Sequence, residues 1–358
     1  MRGDLAGRES GGAPPARRSA FPAARASRGI RGRVALAGRL VEILTVLSAS
    51  GFDDLLGALG LRTCISPRCV LHRRIGFEPC PHHVGLALPR PERLAVVLER
   101  LGPTFVKLGQ MAALRPDYVP EPYTEALSRL HDRAEPFPAA QARAVVEDEL
   151  GAPIERLFAE FSTEPFAAAS LSQVHRAVTL DGRAVAVKVQ RPGIAEQMTR
   201  DLTLLALLAR RLERRRPEAL AFRPTQAVAE FAEYTRRELD FRKEARTSER
   251  VRDLFASHPS VLVPAVDWER TTARVLTTDL VDGRAPAAAG ELRGAGLDPD
   301  AVLRVGAEAV FRQIFEFGLF HADPHPGNLL LVPGERGAFL DVGLFGRLGT
   351  VQTREDME

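Results

Sequence analysis

The chain has 358 residues, of which 45% are hydrophobic and 27% are charged, and its formal net charge at pH 7 is +3. This length exceeds what a single hydrophobic core usually serves, so we expect two lobes or domains. The composition excludes a disordered chain, and the small net charge calls for no nucleic acid partner. Three cysteines argue against a secreted disulfide framework and for a reducing cytosol. No stretch of 18 residues is apolar and free of charge, so we predict no membrane-spanning helix.

Residues 1–33 are predicted to form a disordered basic tail. They contain eight arginines but only two acidic residues, Asp4 and Glu9, among Ala, Gly, Ser and Pro. The segment lacks the apolar core of a secretory signal, although its Arg-rich and acid-poor composition is similar to that of a transit peptide. Besides a disordered tail without a function of its own, two alternatives therefore stay open, namely a targeting segment and a segment attracted to an anionic membrane surface.

Residues 34–135 are predicted to form a helical N-terminal extension. Apolar residues recur at helical spacing from Leu40 to Leu47, and Pro and Gly mark further starts and ends. We expect helices over 34–62 (two, joined by a turn), 91–101, 103–114, 121–130 and, beyond the extension, 139–150. On the helix over 103–114, Lys107 and Gln110 share one face with Met111 and Leu114.

The connector over residues 63–90 is rich in potential metal ligands, namely Cys64, Cys69, His72, Cys80, His82 and His83. Thiolate and imidazole are the ligands that zinc favours. The segment has no CxxC pair, however, and Pro and Arg dominate its spacing. We therefore favour an irregular connector over a zinc site, and the role of the three cysteines stays open.

The pattern changes after Gly151, where β-branched residues and turn signals become frequent. Asp181-Gly182 predicts a two-residue hairpin turn, and "AVAVKV" over 184–189 predicts the returning strand. The remaining predictions are extended segments over 170–177 and 178–180, helices over 194–215, 225–249 and 303–317, strands over 261–266, 274–280 and 339–341, and a loop passing into a strand over 318–331. This order predicts a small sheet lobe against a helical lobe, and nucleotides commonly bind in the cleft between such lobes.

Three polar residues near the C-terminus have the spacing of a phosphoryl-transfer site. Asn328 follows Asp323 by five residues, and Asp341 opens the Asp-Val-Gly sequence further along. In such sites the first Asp orients or deprotonates the nucleophile, while the Asn and the second Asp hold Mg²⁺, which prefers oxygen ligands. The plain alternative is a pair of Asx turns in surface loops.

Lys188 ends the apolar "VAVK" stretch of a predicted strand. A lysine in this position buries its stem and needs an anion for its ammonium, such as a nucleotide phosphate or a carboxylate from a helix. A solvated lysine at a strand end is the alternative. The Asp and Asn that follow about 135 residues later favour the phosphate.

With these residues in view, the chain resembles the UbiB family of atypical protein kinase-like proteins (the ABC1/ADCK group). The resemblance covers roughly residues 35–348 and rests on the motifs "LGPTFVKLGQ" (101–110), "AAASLSQVHRA" with "VAVKVQRPGI" (167–177 and 185–194), "ELDFRKEA" (238–245) and "HADPHPGN" (321–328). It implies an α+β, protein-kinase-like bilobal fold with a small antiparallel sheet in the N-lobe and a largely helical C-lobe. The implied boundaries are 34–135 for the extension carrying the KxGQ block, 136–282 for the N-lobe and 283–358 for the C-lobe.

The resemblance assigns roles to five residues. Lys188 matches the lysine that contacts the α- and β-phosphates, and Glu244 matches the helix glutamate that pairs with it. Asp323 matches the catalytic-loop Asp, and Asn328 and Asp341 match the residues that hold Mg²⁺. ATP or ADP together with Mg²⁺ are the implied cofactors.

The resemblance also implies an unconventional nucleotide site. Ala167, Ala168, Ala169 and Ser170 stand where ordinary kinases have a Gly-rich loop, and alanine restricts the backbone freedom that glycine allows. Asp279 is carried over as a further nucleotide-binding residue. In the family, the helix that bears Lys107 and Gln110 covers the cleft, so Lys107 would meet the acidic pair Glu238 and Asp240 and close the site where a protein substrate would dock.

The implied role is that of an ATPase or small-molecule kinase that supports isoprenoid-quinone (ubiquinone-type) biosynthesis. Its implied partners are the nucleotide, membrane lipid or quinone intermediates and quinone-biosynthesis proteins, at a cytoplasmic, peripheral location on the inner membrane. Val342 replaces the Phe of the usual Asp-Phe-Gly, and only 15 residues follow Gly343, so we expect an incomplete C-lobe and exposed apolar residues on the helix over 303–317.

Two other functions stay open. A non-catalytic pseudokinase that acts as a scaffold or binds lipid would also fit the Ala-rich segment and the covering helix. A small-molecule kinase similar to aminoglycoside or choline kinases shares the Asp, Asn and Asp-x-Gly layout, but the KxGQ block of this chain argues against it.

Overall fold

The computed structural model describes residues 30–61, 88–130, 135–285, 289–294, 297–321, 329–332, 336–340 and 345–347. These ranges form an α+β fold with a four-stranded antiparallel sheet among helices. The disordered basic tail predicted over 1–33 is wrong at its end, because a helix already begins at Ile30. Residues 1–29 and nearly all of the cysteine-containing connector lie outside the described residues. Within the described ranges, none of the helices has both the length and the apolar content that crossing a bilayer requires.

The helical extension consists of α1 (Ile30–Ala49), α2 (Asp53–Ala58), α3 (Arg90–Leu101), α4 (Pro103–Ala113) and α5 (Glu121–Ser128). Their predicted positions are confirmed to within two residues at most ends, apart from the start of α1. Gly102 lies between α3 and α4 with φ +90°, a conformation that glycine adopts at little cost, and this allows the sharp corner between the two helices. The helices share one core, in which Leu47, Val97 and Phe105 are buried.

The N-lobe contains α6 (Ala139–Leu150), α7 (Ile154–Leu157) and the antiparallel sheet β1-β2-β3-β5. Its strands are β1 (Phe158–Ala168), β2 (Ser172–Thr179), β3 (Ala184–Gln190) and β5 (Val275–Asp279). The sequence pattern did not predict β1, because its register with β2 shifts between Phe158 and Ala167 and this removes the alternation of apolar and polar residues. Pro165 is tolerated in β1 because this strand lies at the edge of the sheet.

The β2–β3 hairpin is present, but its predicted two-residue turn is wrong. Thr179 N donates to Arg183 O (2.9 Å), so three residues, Leu180 to Gly182, lie between the paired ends. Gly182 has φ +86°, which is the left-handed conformation expected at the end of a three-residue hairpin loop. The extra residue in the loop explains why Leu180 does not belong to the strand.

The long helix predicted over 194–215 is confirmed as α8 (Ile194–Arg215). The single helix predicted over 225–249 is wrong, because the chain forms α9 (Pro224–Glu238) and α10 (Phe241–Leu254) with a break between them. At the break, the Asp240 carboxylate accepts a hydrogen bond from Arg242 N (3.3 Å) and thereby caps the start of α10. The apolar pattern alone predicts one continuous helix, but the capping aspartate starts a new one.

The remaining elements are α11 (Ala289–Gly294), α12 (Pro299–Phe311), a π turn over Arg312–Glu316, and the strands β4 (Val261–Leu262), β6 (Leu319–His321), β7 (Leu329–Val332), β8 (Arg336–Phe339) and β9 (Phe345–Arg347). The strand predicted over 261–266 is divided, since only Val261–Leu262 forms β4, which pairs with β8, while Val266 makes a single bridge to Thr278 in β5 of the N-lobe sheet. The strand predicted over 339–341 is shifted, since β8 ends at Phe339.

The helix predicted over 303–317 begins earlier and ends differently. Asp298 caps α12 by accepting from Asp300 N (3.0 Å), and the π turn replaces the last predicted helical turn. The expectation that this segment exposes apolar side chains is confirmed for Leu303, Phe311 and Phe315, which are all more than half exposed.

Candidate nucleotide site

Lys188 lies in β3, between Val174 of β2 and Leu276 of β5. Its Nζ donates to both carboxylate oxygens of Glu244, at 2.8 and 2.9 Å. Neither side chain is far from solvent, with 21% of Lys188 and 13% of Glu244 exposed. The structure therefore brings together the lysine and the helix glutamate that the family resemblance pairs.

Two local features hold this ion pair. Glu244 lies in the first turn of α10, one turn after the capping Asp240, so the start of that helix sets its position. The ring of Phe241, which is buried, lies 5.2 Å from Lys188 Nζ. A cation over an aromatic face gains electrostatic stabilisation, so the ammonium is held by a carboxylate and a ring together.

The Ala-rich segment forms the end of the β1–β2 hairpin. Ala167 and Ala168 belong to β1, and Ala168 pairs with Gln173. These two residues therefore end the strand, and the turn follows them. Residues 169–171 make the turn itself, which we call the Ala-rich turn, and Ala169 N donates across it to Ser172 O (2.8 Å). Ser170 is buried in this turn.

The helix α4 contacts the end of α9 through Lys107. Its Nζ lies 3.4 Å from Glu238 Oε1, and the hydroxyl of Tyr234 donates to the same oxygen (2.6 Å). The described contacts of Asp240 are with Arg242, whose Nε and Nη2 donate at 2.8 and 3.0 Å. The Arg242 guanidinium lowers the pKa of Asp240 below its ordinary value. Of the predicted acidic pair, Glu238 thus has the described contact with Lys107.

The other residues of the KxGQ block have packing roles. Gln110 Nε2 donates to Leu130 O (3.2 Å), which ties α4 to the end of the extension. A Cβ at Gly109 would lie 2.7 Å from Leu98 Cδ1 and closer still to a methyl group of Leu130. A buried helix contact this close leaves room only for glycine, which explains the residue between Lys107 and Gln110.

Asp279 ends β5 and is half exposed. Its Oδ1 lies 3.5 Å from Arg183 Nη1, at the loop that joins β2 to β3. In the sheet it pairs with Val185, three residues before Lys188. The described contact of the Asp279 carboxylate is therefore with the hairpin loop.

The remaining predicted site residues, Asp323, Asn328 and Asp341, lie outside the described residues. The potential zinc ligands of the connector also lie outside them. Among the residues that the structure describes, no group of three or more His, Cys, Asp or Glu side chains is placed to hold a metal ion.

Sequence reasoning missed a buried polar cluster that joins the helical extension to α8. Asp201 is fully buried and accepts from Arg39 Nε (2.7 Å), Arg39 Nη2 (3.0 Å) and Thr104 Oγ1 (2.7 Å). Burial lowers the pKa of Arg39, but the hydrogen bonds and charges of Asp201 and Glu42 outweigh it and raise that pKa. The sequence feature that could have predicted this cluster is an acidic residue, Asp201, on the apolar face of a long helix.

Residues 129–358 match the family model of the ABC1 atypical kinase-like domain. The chain belongs to this family, and the kinase-like fold and the UbiB/ABC1 resemblance predicted from its motifs are confirmed.

Two curated relatives show how far the similarity extends. The chain is 41% identical over 260 residues to "Probable protein kinase UbiB" of Marinobacter nauticus, which covers 72% of this chain and 48% of the relative. It is 40% identical over 256 residues to "Protein ACTIVITY OF BC1 COMPLEX KINASE 3, chloroplastic" of Arabidopsis thaliana, covering 71% of this chain and 36% of the relative. The chain thus spans about half the length, or less, of these relatives.

A solved structure shares the fold. The erythromycin complex of Rv3197 from Mycobacterium tuberculosis superposes with a TM-score of 0.51 at 31% identity, covering 70% of this chain and 63% of that chain. Erythromycin is a ligand of that protein.

Proposed function

We propose that this chain is an ATP- or ADP-binding, Mg²⁺-dependent atypical kinase or ATPase of the UbiB type. The observation that carries the proposal is the Lys188–Glu244 ion pair, in which both carboxylate oxygens accept from the ammonium at the face of the sheet opposite the Val187 and Val189 side chains. In kinase-like sites this pair sets the lysine against the nucleotide phosphates. Membership of an atypical kinase-like family supports the same chemistry at a general level.

In this proposal the residues of the chain divide the work of phosphoryl transfer. Lys188 neutralises phosphate charge while Glu244 fixes its ammonium. Asp323 orients or deprotonates the acceptor, and Asn328 and Asp341 supply oxygen ligands for the metal. Bound Mg²⁺ would offset the charge of the phosphate oxygens. Asp279 and the Ala-rich segment complete the proposed nucleotide contacts.

The physiological role is proposed from the relatives alone. A similar protein carries the name UbiB, which supports a role in isoprenoid-quinone biosynthesis, with lipid or quinone intermediates and quinone-biosynthesis proteins as partners. We place the protein in the cytoplasm, peripherally at the inner membrane.

Thermal shift measurements test the nucleotide site directly. We expect Mg²⁺ with ATP or ADP to raise the melting temperature of the wild-type chain, because a ligand that binds only the folded state stabilises it. Lys188→Ala should abolish the shift. Lys243→Ala is the matched control, since Lys243 is exposed beside Glu244 and should leave the shift intact. A wild-type chain that shows no shift with either nucleotide contradicts the proposal.

A non-catalytic pseudokinase, acting as a scaffold or binding lipid, is the second candidate. The Lys107–Glu238 contact favours it, because this ion pair ties α4 to the end of α9, only a few residues before Glu244. Steady-state ATP hydrolysis separates the two functions. Turnover that Asp323→Asn and Asp341→Asn both abolish would exclude the pseudokinase, whereas nucleotide binding without turnover would favour it.

A further inference from the structure

Arg191, the residue after β3, contacts all three carbonyl groups of the Ala-rich turn. Its Nε donates to Ser170 O (3.2 Å), and its Nη2 donates to Ala169 O (3.4 Å). Its main-chain N–H donates to Leu171 O (2.8 Å). One residue directly after the neighbouring strand therefore fixes the direction of three consecutive carbonyl groups.

The Arg191 side chain is itself held in place. Its Nη2 also donates to Glu135 O (2.8 Å), and its guanidinium lies over the ring of Phe137 at 5.1 Å. Phe137 is anchored in turn, since its N–H donates to the buried Gln173 Oε1 (3.0 Å). A planar guanidinium with five donors suits several carbonyl acceptors at once, which an ammonium cannot match in geometry.

Arg191 and Lys188 lie on opposite faces of the sheet. Phe137 belongs to the core that contains Val187 and Val189, and these residues alternate along β3 with Lys188. The guanidinium that stacks on Phe137 is therefore on the core face. Lys188 points to the other face, where Glu244 receives it.

Peptide geometry then gives the direction of the amide groups. In a planar trans peptide the C=O and the following N–H point in opposite directions. Because the carbonyls of Ala169 and Ser170 point toward Arg191, the N–H groups of Ser170 and Leu171 point away from it, toward the face of Lys188. None of the three turn residues has a positive φ, so the turn uses no glycine-like conformation.

We infer that Arg191 is a positioning residue that directs the main-chain N–H groups of the Ala-rich turn toward the phosphate groups of a nucleoside di- or triphosphate. This inference rests on the proposed function and deepens it. Where a Gly-rich loop approaches phosphate through backbone freedom, this chain holds an alanine-containing turn by an arginine on the reverse side of the sheet.

The experiment compares ligands with and without phosphate. Affinities for ATP, ADP and adenosine are measured in Mg²⁺ by calorimetry, or by competition for the weak ligand. We expect Arg191→Ala to weaken ATP and ADP binding by about 10-fold, the equivalent of one hydrogen bond to a charged group, while adenosine binding stays unchanged. Arg191→Lys, which keeps the charge and some donors, should be intermediate.

Arg270→Ala is the matched control. Arg270 lies over the ring of Phe158 (5.8 Å) and donates to Leu157 O (3.0 Å), so it makes the same kind of contact in the same lobe without touching the Ala-rich turn. We expect this variant to lower thermal stability and to keep the ratio of ATP to adenosine affinity. Equal weakening of adenosine and ATP in Arg191→Ala would show a purely structural role and overturn the inference.

Hydrogen exchange separates this inference from the proposed function. Arg191→Ala should speed amide exchange within residues 169–172 but not in β3. Unchanged exchange within residues 169–172 would overturn the positioning role of Arg191 even if the wild-type chain binds nucleotide. A wild-type chain that binds neither ATP nor ADP would refute the proposed function and, with it, the phosphate role of Arg191. If Arg191→Ala does not fold, Arg191→Lys carries both measurements.

Discussion

Replacing Asp201 by alanine should destabilise the fold by about 3 kcal/mol, the lower end of the cost of breaking a buried ion pair. The Asp201 side chain has no exposed surface, and the guanidinium of Arg39 is 13% exposed. The substitution removes the acceptor for two donors of Arg39 and for the hydroxyl of Thr104, all within 3.0 Å. A cation and a hydroxyl would then stay in a helical core without their acceptor.

The lower end of the range applies because other acceptors remain. Arg39 Nη2 also donates to Leu101 O (2.5 Å), and Glu42, half exposed, lies 2.9 Å from Arg39 Nη1. For a unit of 150–250 residues, about 3 kcal/mol corresponds to a fall in melting temperature of roughly 6–12 °C. Urea unfolding followed by circular dichroism at 222 nm would measure the free energy itself, at about pH 7.

Two variants control this measurement. Asp117→Ala removes the partner of Arg115 in an exposed ion pair and should leave the unfolding midpoint unchanged. The double variant Arg39→Met with Asp201→Leu buries no charge, so it should recover most of the loss caused by Asp201→Ala. An Asp201→Ala midpoint equal to the wild-type value would refute the reasoning, and so would a double variant that is less stable than the single one.

Three further changes test other parts of the fold. Burial lowers the pKa of His175 below 6.5, so the unfolded state binds more protons than the folded state below about pH 7. The free energy of unfolding should therefore fall as the pH drops from about 7 to about 5. Urea unfolding midpoints of the wild type and of His175→Gln would check this, since the variant should lose this pH dependence. Gly109→Val should cost about 1–3 kcal/mol by overpacking, seen as a lower melting temperature. Arg223→Gly should stabilise the fold by about 0.5–1 kcal/mol in urea unfolding, because Arg223 has φ +43°, and a destabilised variant would contradict this.

Local pattern carried much of the helical and strand assignment. The helix over 194–215 was predicted to the residue, because its apolar stripe is long and Gly193 begins it with φ +73°. A lysine in an apolar strand needs an anion, which the sequence shows, but the family resemblance named Glu244 as its partner. Local signals fail where two of them conflict. Around Asp240 the apolar pattern continues as for one helix, but the Asp240 side chain caps the start of a second helix.

The edge strand β1 was not predictable in the same way. Its residues do not alternate, and its extended form depends on hydrogen bonds to β2 across a shifting register. The partners of buried polar groups could not be predicted from the sequence either. Asp201 finds Arg39 at a separation of 162 residues, and Arg191 finds Glu135 O at 56.

By itself, the sequence determined the family, the order of most helices and strands, and the chemical character of the residues proposed to meet a nucleotide. These properties depend on residue type and on spacing along the chain, which periodicity and motifs record. The tertiary structure alone decided which carboxylate accepts from Arg39, which of Glu238 and Asp240 contacts Lys107, and on which face of the sheet Arg191 holds the Ala-rich turn. A buried donor is satisfied by whichever acceptor packing brings within about 3 Å, and separation along the chain does not constrain that choice.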